Sequence, residues 1–173
     1  MINCSLQNKG ILYVDWVQVR PSVTQHFGLN PSMYAQFGME GHNGIDYRAV
    51  PGTPLFAPMD GVVKVKDSGV KGYGLHVKIR NEFKELECVI GHMSKLDVVN
   101  GQRVFQGDRI GLSGNTGFST GPHIHEGFRR IILDEDKDIY SWKVADYNNG
   151  FFGYFDHLEF VINWKGTLLY NNL

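Results

Sequence analysis

Glycine sets the character of this chain: 21 of its 173 residues are glycine, and they separate short runs rich in Val, Ile, Leu, Phe and Tyr. Short β-forming runs between tight turns are the pattern of strands, and helix-period stretches are scarce. Residues 61–65 read as a strand. Residues 73–79 alternate with period two, which suits a half-buried sheet and puts His76 on the polar face. Residues 86–90 form a further apolar strand that delivers the chain to Gly91 and His92. Residues 103–105 and 109–112 flank Gln106-Gly107-Asp108 and read as a hairpin. The helical candidates are short, such as residues 32–37, and the charged stretch within residues 131–140 reads as a solvated loop. The fold class predicted is all-β or β-dominated.

A chain of this length, 42% hydrophobic and 13% aromatic, can bury one substantial core, so one domain is expected. Its 17 basic and 18 acidic residues give a net charge of -1, no electrostatic footprint for nucleic acid or an anionic membrane. Cys4 and Cys88 are too few for a disulfide framework, and both are expected as free thiols. The first residues lack a basic segment followed by an apolar core, so no signal peptide is expected, and no run is long and apolar enough to span a bilayer.

The chemistry concentrates in three segments. In Gly121-Pro-His-Ile-His-Glu126 the two histidines of a strand would share a face about 7 Å apart, so His123 and His125 can address one site. In Gly41-His-Asn-Gly-Ile-Asp46, His42 and Asp46 also share a face, whether the segment is extended or helical. Two histidines and one carboxylate from separate segments make a three-ligand set, the number a catalytic zinc uses while keeping a fourth position open. Gly91-His92-Met-Ser94 adds a histidine at a strand end. Four histidines and an aspartate exceed what three ligands require, leaving two imidazoles for proton transfer or charge stabilisation.

With Thr24 to Gly28, Gly52-Thr-Pro-Leu-Phe-Ala-Pro58, Gly61-Val-Val63, residues 104–111 and Gly114 to His125, these segments resemble, in order and kind, the lysostaphin-type peptidases of family M23. The resemblance implies a lysostaphin-like domain, related to barrel-sandwich hybrids, whose antiparallel sheet carries an open groove. It implies one zinc per chain held by His42, Asp46 and His125, with His92 and His123 as catalytic residues and Tyr34 as a transition-state partner. The implied substrate is the peptide of bacterial peptidoglycan, cut at a D-amino-acid cross-link or a glycine bridge, by a monomer acting on the cell wall. A phage lysin or virion-associated enzyme released from the cytoplasm would explain the missing signal. Two departures stand out: Glu126-Gly127-Phe128 follows H-x-H where the family commonly has an aromatic and then an acid or amide, and His157 stands where proline is expected.

The expected division is an N-terminal strand or extension over 1–20, the M23-like domain over 21–160, and a tail over 161–173 packed on it. His26, His76 and His157 are read as structural rather than as ligands. The alternative function is a non-catalytic M23-like module that binds or activates another wall hydrolase. Segments 57–63 and 101–111 also look like pieces of biotinyl or lipoyl carriers, but no lysine turn lies between them and a carrier has no use for the histidines.

Overall fold

A computed structural model describes residues 11–12, 22–134 and 142–162. Its strands are β1 (Ile11–Leu12), β2 (Val23–Gln25), β3 (Ile45–Arg48), β4 (Pro54–Phe56), β5 (Gly61–Asp67), β6 (Leu75–Asn81), β7 (Leu86–Ile90), β8 (Met93–Leu96), β9 (Arg103–Val104), β10 (Arg109–Ser113), β11 (His123–Leu133), β12 (Trp142–Val144), β13 (Tyr154–Phe155) and β14 (Val161–Ile162). The main sheet runs β2-β3-β11-β7-β6-β5-β9, with β12 and β13 also paired to β11, and a second sheet runs β4-β10-β8. All of these pairings are antiparallel, in keeping with the β-dominated expectation. Among the described residues helix is confined to short turns, among them α1 (Pro31–Tyr34) followed by a 3-10 turn over Ala35–Phe37, where the short helix was expected.

Register explains where the core sits. Val65, Val77, Ile90, Glu126 and Ile45 pair in succession across five strands. Alternate residues of a strand share a face, so this row, with Val63, Ile79, Cys88 and Phe128 beside it, makes the inner face. Leu55, Met93 and Ile110 of the second sheet join the same cluster. Burying each large apolar side chain contributes roughly 1.5–3 kcal/mol. The opposite face of β3 and β11 carries Asp46 and His125, which are direct cross-strand partners.

Three expectations change. Residues 103–105 and 109–112 are not a hairpin: β9 pairs with β5, while β10 pairs with β4 and β8. The turn between them is tied instead to residues 57–60, with Ala57 N donating to Asp108 O at 2.7 Å and Gln106 N to Asp60 Oδ1 at 2.7 Å, so the chain leaves one sheet for the other. His76 is buried at 3% exposure, not on a solvated face, because the Tyr73 ring packs edge-on against it. The charged loop begins later than expected, since β11 continues through residues 131–133 and Asp134 is buried with Lys143 3.3 Å away. Residues 135–141 lie outside the described residues. So do most of the expected N-terminal extension and tail, of which the described part is a parallel pairing of β1 with β14. Cys88 is a buried free thiol, pushed well up by burial, and Cys4 lies outside the described residues. No helix among the described residues is long and apolar enough to cross a membrane.

Candidate metal centre

Three elements bring the donor atoms together. Asp46 is the second residue of β3, His125 stands opposite it on β11, and His42 sits in the turn that enters β3. That turn lies against His125 at Gly44, where a Cβ would come 2.5 Å from His125 Cε1 and 2.4 Å from Glu126 O. Only glycine permits the approach. His42 Nε2, His125 Nδ1 and Asp46 Oδ1 then form a triangle with sides of 2.9, 3.1 and 3.1 Å, and all three residues are buried.

The tautomers, inferred from the hydrogen-bond network, say what this triangle is for. His42 Nδ1 lies 3.2 Å from His26 O, a carbonyl that only accepts, so Nδ1 carries the proton and Nε2 presents a lone pair. Asp46 as a carboxylate also only accepts. Two acceptors therefore face each other at 3.1 Å inside the protein, an arrangement that a cation relieves. Tetrahedral zinc with bonds of about 2.0–2.1 Å separates its ligand atoms by roughly 3.3 Å, close to the sides of the triangle. The donor set and its spacing fit a zinc ion. Burial works to raise the Asp46 carboxyl, but hydrogen bonding and charge in the cluster, His125 foremost, outweigh it and hold the group well below the usual carboxylate range. Burial pushes His125 down to about 3, which keeps its imidazole neutral, as a ligand must be.

His92 and His123 stand beside the triangle, with ring centroids 4.5 Å apart. His92 follows β7 in a left-handed conformation, φ 58°, uncommon for a residue with a side chain and concentrated at functional sites. Its Nδ1 donates to Thr116 O at 2.6 Å, and His123 Nδ1 donates to Gly121 O at 2.7 Å. In each ring the Nε2 is thereby left as the lone-pair nitrogen, and His123 Nε2 lies 3.4 Å from Asp46 Oδ2. Burial, then the charge of His123, push His92 down to about 4.

Tyr34 reaches the same groove from α1, its ring 5.3 Å from that of His42, its hydroxyl accepting from Gln25 Nε2 at 3.0 Å. Burial, then the negative charge of Asp46, push it up to about 12, so it stays a hydroxyl donor. His26, exposed, contributes only its carbonyl. Sequence reasoning passed over Tyr73 and Asn43: Asn43 Nδ2 donates to the Tyr73 hydroxyl at 2.6 Å, the Tyr73 ring lies 4.9 Å from that of His125, and Tyr73 O accepts from His92 N at 2.8 Å. Asn43 lies inside the His42 to Asp46 segment, but nothing in the spacing signals Tyr73.

Comparison with known proteins adds the family context. The description Peptidase family M23 matches residues 40–139. The chain is 44% identical over 84 residues to the peptidoglycan DD-endopeptidase ShyA of Vibrio cholerae, covering 49% of this chain and 19% of that protein. It is 39% identical over 93 residues to the glycyl-glycine endopeptidase ALE-1 of Staphylococcus capitis, covering 52% and 24%. The chain thus spans only about a fifth to a quarter of these relatives' length. Among solved structures, a mutant catalytic domain of the prophage-encoded M23 protein EnpA from Enterococcus faecalis matches with a TM-score of 0.57 at 33% identity, covering 69% of this chain and 87% of that one.

Proposed function

The chain belongs to peptidase family M23, and from that premise we propose that it is a zinc-dependent endopeptidase that hydrolyses peptide cross-links of bacterial peptidoglycan. The observation that carries this reading is the triangle of His42 Nε2, Asp46 Oδ1 and His125 Nδ1, with two further imidazoles presenting Nε2 beside it. The peptidoglycan substrate is supported by the likeness to the peptidoglycan DD-endopeptidase of Vibrio cholerae, and endopeptidase action by that to the glycyl-glycine endopeptidase of Staphylococcus capitis as well.

His42, Asp46 and His125 would hold the zinc, one per chain. The metal would supply Lewis acidity toward a peptide carbonyl and a water acidic enough to give hydroxide near neutral pH. The chain's own part is orientation and proton transfer. The carbonyls of His26, Thr116 and Gly121 each fix one ring's tautomer, as outer partners of metal sites do. His92, kept neutral at pH 7 by burial, and His123 are placed to take a proton from the attacking water and return one to the leaving amine. Tyr34 keeps its proton and can donate a hydrogen bond to a developing oxyanion. Residues 21–160 form the catalytic unit in this reading, working as a monomer on the wall. The likeness to a prophage-encoded protein supports a phage lysin or virion-associated source.

The test is His123→Ala. Turnover of peptidoglycan fragments falls by at least about 10²-fold while zinc content stays at that of the parent. Loss of the zinc instead would reassign His123 as a ligand.

A further inference from the structure

The groove beside the donor triangle encloses about 260 Å³. Its polar lining includes the histidines, Asp46, Tyr34, Ser119 and Thr120. Its apolar lining, or apolar wall, comprises Met33, Phe37, Met39, Phe118 and Phe152, none of which bears a charge. Phe37 comes from the 3-10 turn behind Tyr34, and Phe118 from the loop that leads to His123. Their rings meet edge-on at 5.1 Å, so the segment carrying Tyr34 and the loop before His123 are joined by one aromatic contact.

We propose that this wall, with Phe37 and Phe118 at its centre, is the subsite that selects a residue bearing an apolar side chain next to the scissile bond, so that the enzyme favours such cross-links over glycine bridges. The proposal rests on the endopeptidase reading above and deepens it. A glycine at that position brings only backbone, whose amide and carbonyl gain nothing from phenylalanine and methionine side chains. An alanine methyl or a larger apolar group displaces water from the wall and gains from burial. Methionine, being unbranched, adapts to the shape it meets. Phe118 is 36% exposed and Met33 37% exposed, so their apolar surface is still available to be covered. A contact of this kind in a hydrophobic pocket discriminates by about 10- to 100-fold.

The experiment uses the zinc-loaded protein and two synthetic cross-link peptides that differ only in having D-alanine or glycine on the carbonyl side of the scissile bond. The expected ratio of kcat/KM, D-alanine over glycine, is about tenfold or more. Phe118→Ala brings it close to one, and Phe118→Leu, which keeps an apolar side chain, retains most of it. Calorimetric binding of both peptides to metal-stripped protein shows the same order of preference. Cleavage of both peptides at equal rates, or a ratio that Phe118→Ala leaves unaltered, overturns the subsite while leaving the endopeptidase reading intact. Cleavage of neither peptide, nor of peptidoglycan itself, overturns both.

Discussion

Glu126 and His157 meet inside the protein: Oε2 of the one lies 3.2 Å from Nε2 of the other, and both residues are fully buried at 0% exposure. Glu126 follows the proposed ligand His125 on β11 but points to the opposite face, into the row of Val77, Ile90 and Ile45. His157 comes from the segment after β13, its ring 4.9 Å from Phe128 and its Nε2 3.5 Å from the Tyr47 hydroxyl. The two departures from the family pattern are thus partners, and they fasten the segment after β13 to the strand carrying His123 and His125. Removing Glu126 takes from His157 Nε2 its buried carboxylate partner, a loss that typically costs about 1–3 kcal/mol. Glu126→Ala is therefore expected to lower the urea midpoint strongly, while the double replacement Glu126→Leu with His157→Leu recovers much of the loss. An additive double mutant would contradict the pairing.

Gly44→Ala tests how the donor triangle is assembled. The new methyl would sit 2.5 Å from the His125 ring and 2.4 Å from the Glu126 carbonyl, and backbone cannot yield as a flexible side chain can. The turn holding His42 must move away from His125. Zinc affinity, read by competition with a chelator, is expected to fall by at least about tenfold, on the scale seen when the support of a metal ligand is disturbed. Unchanged affinity would show that the triangle does not depend on this approach.

The metal-free protein should lose stability as the medium is acidified from neutral. Burial holds His92 down to about 4 and His125 down to about 3, whereas unfolded imidazoles titrate near 6.5. Between those values the unfolded chain binds protons that the folded chain refuses. The stability contribution is thus complete above about pH 6.5 and is lost as pH falls through the folded values. Chelator-treated protein followed by urea unfolding from pH 7.5 to 4.5 should show the decline, and His92→Gln should flatten it. Equal slopes would contradict the burial of a neutral His92.

A second, more acidic window belongs to Glu87. Its carboxylate lies 2.6 Å from Arg129, 3.0 Å from Arg80 and 3.5 Å from Lys78. Burial works to raise it, but the charges of Arg129 and Lys78, with hydrogen bonds from Arg129 and Arg80, hold it below the usual range. A depressed carboxylate stabilises the fold above its unfolded value, near 4.3, and that contribution disappears as pH falls through the folded value. Glu87→Gln should therefore be less stable than the parent at pH 7, with the gap closing below about pH 4. A gap that stays constant across this range would remove Glu87 from the acid sensitivity.

Much of this follows from local rules. Strand alternation puts His123 and His125 on one face, and four-residue spacing does the same for His42 and Asp46, so their convergence is legible in the sequence. Glycine punctuation likewise reveals most strands. Register and partner choice are not local. Residues 103–105 and 109–112 have the signature of a hairpin, yet the partners that claim them, β5 for one and β4 with β8 for the other, lie outside that segment. The same limit hides Tyr73, which acts on His125 across 52 positions through packing alone, and Glu126 with His157, whose contact no periodicity marks. His76 has an alternating neighbourhood and is still buried, because a loop covers the outer face of its strand.

The proposed peptidoglycan endopeptidase activity depends on a zinc held by His42, Asp46 and His125. Elemental analysis of protein purified without chelator, run alongside digestion of purified sacculi with mass spectrometry of the released fragments, tests it most directly. One zinc per chain and new free amino ends at a cross-link are expected, both lost in His42→Ala. Neither metal nor cleavage, even after zinc is added back, would contradict that proposal.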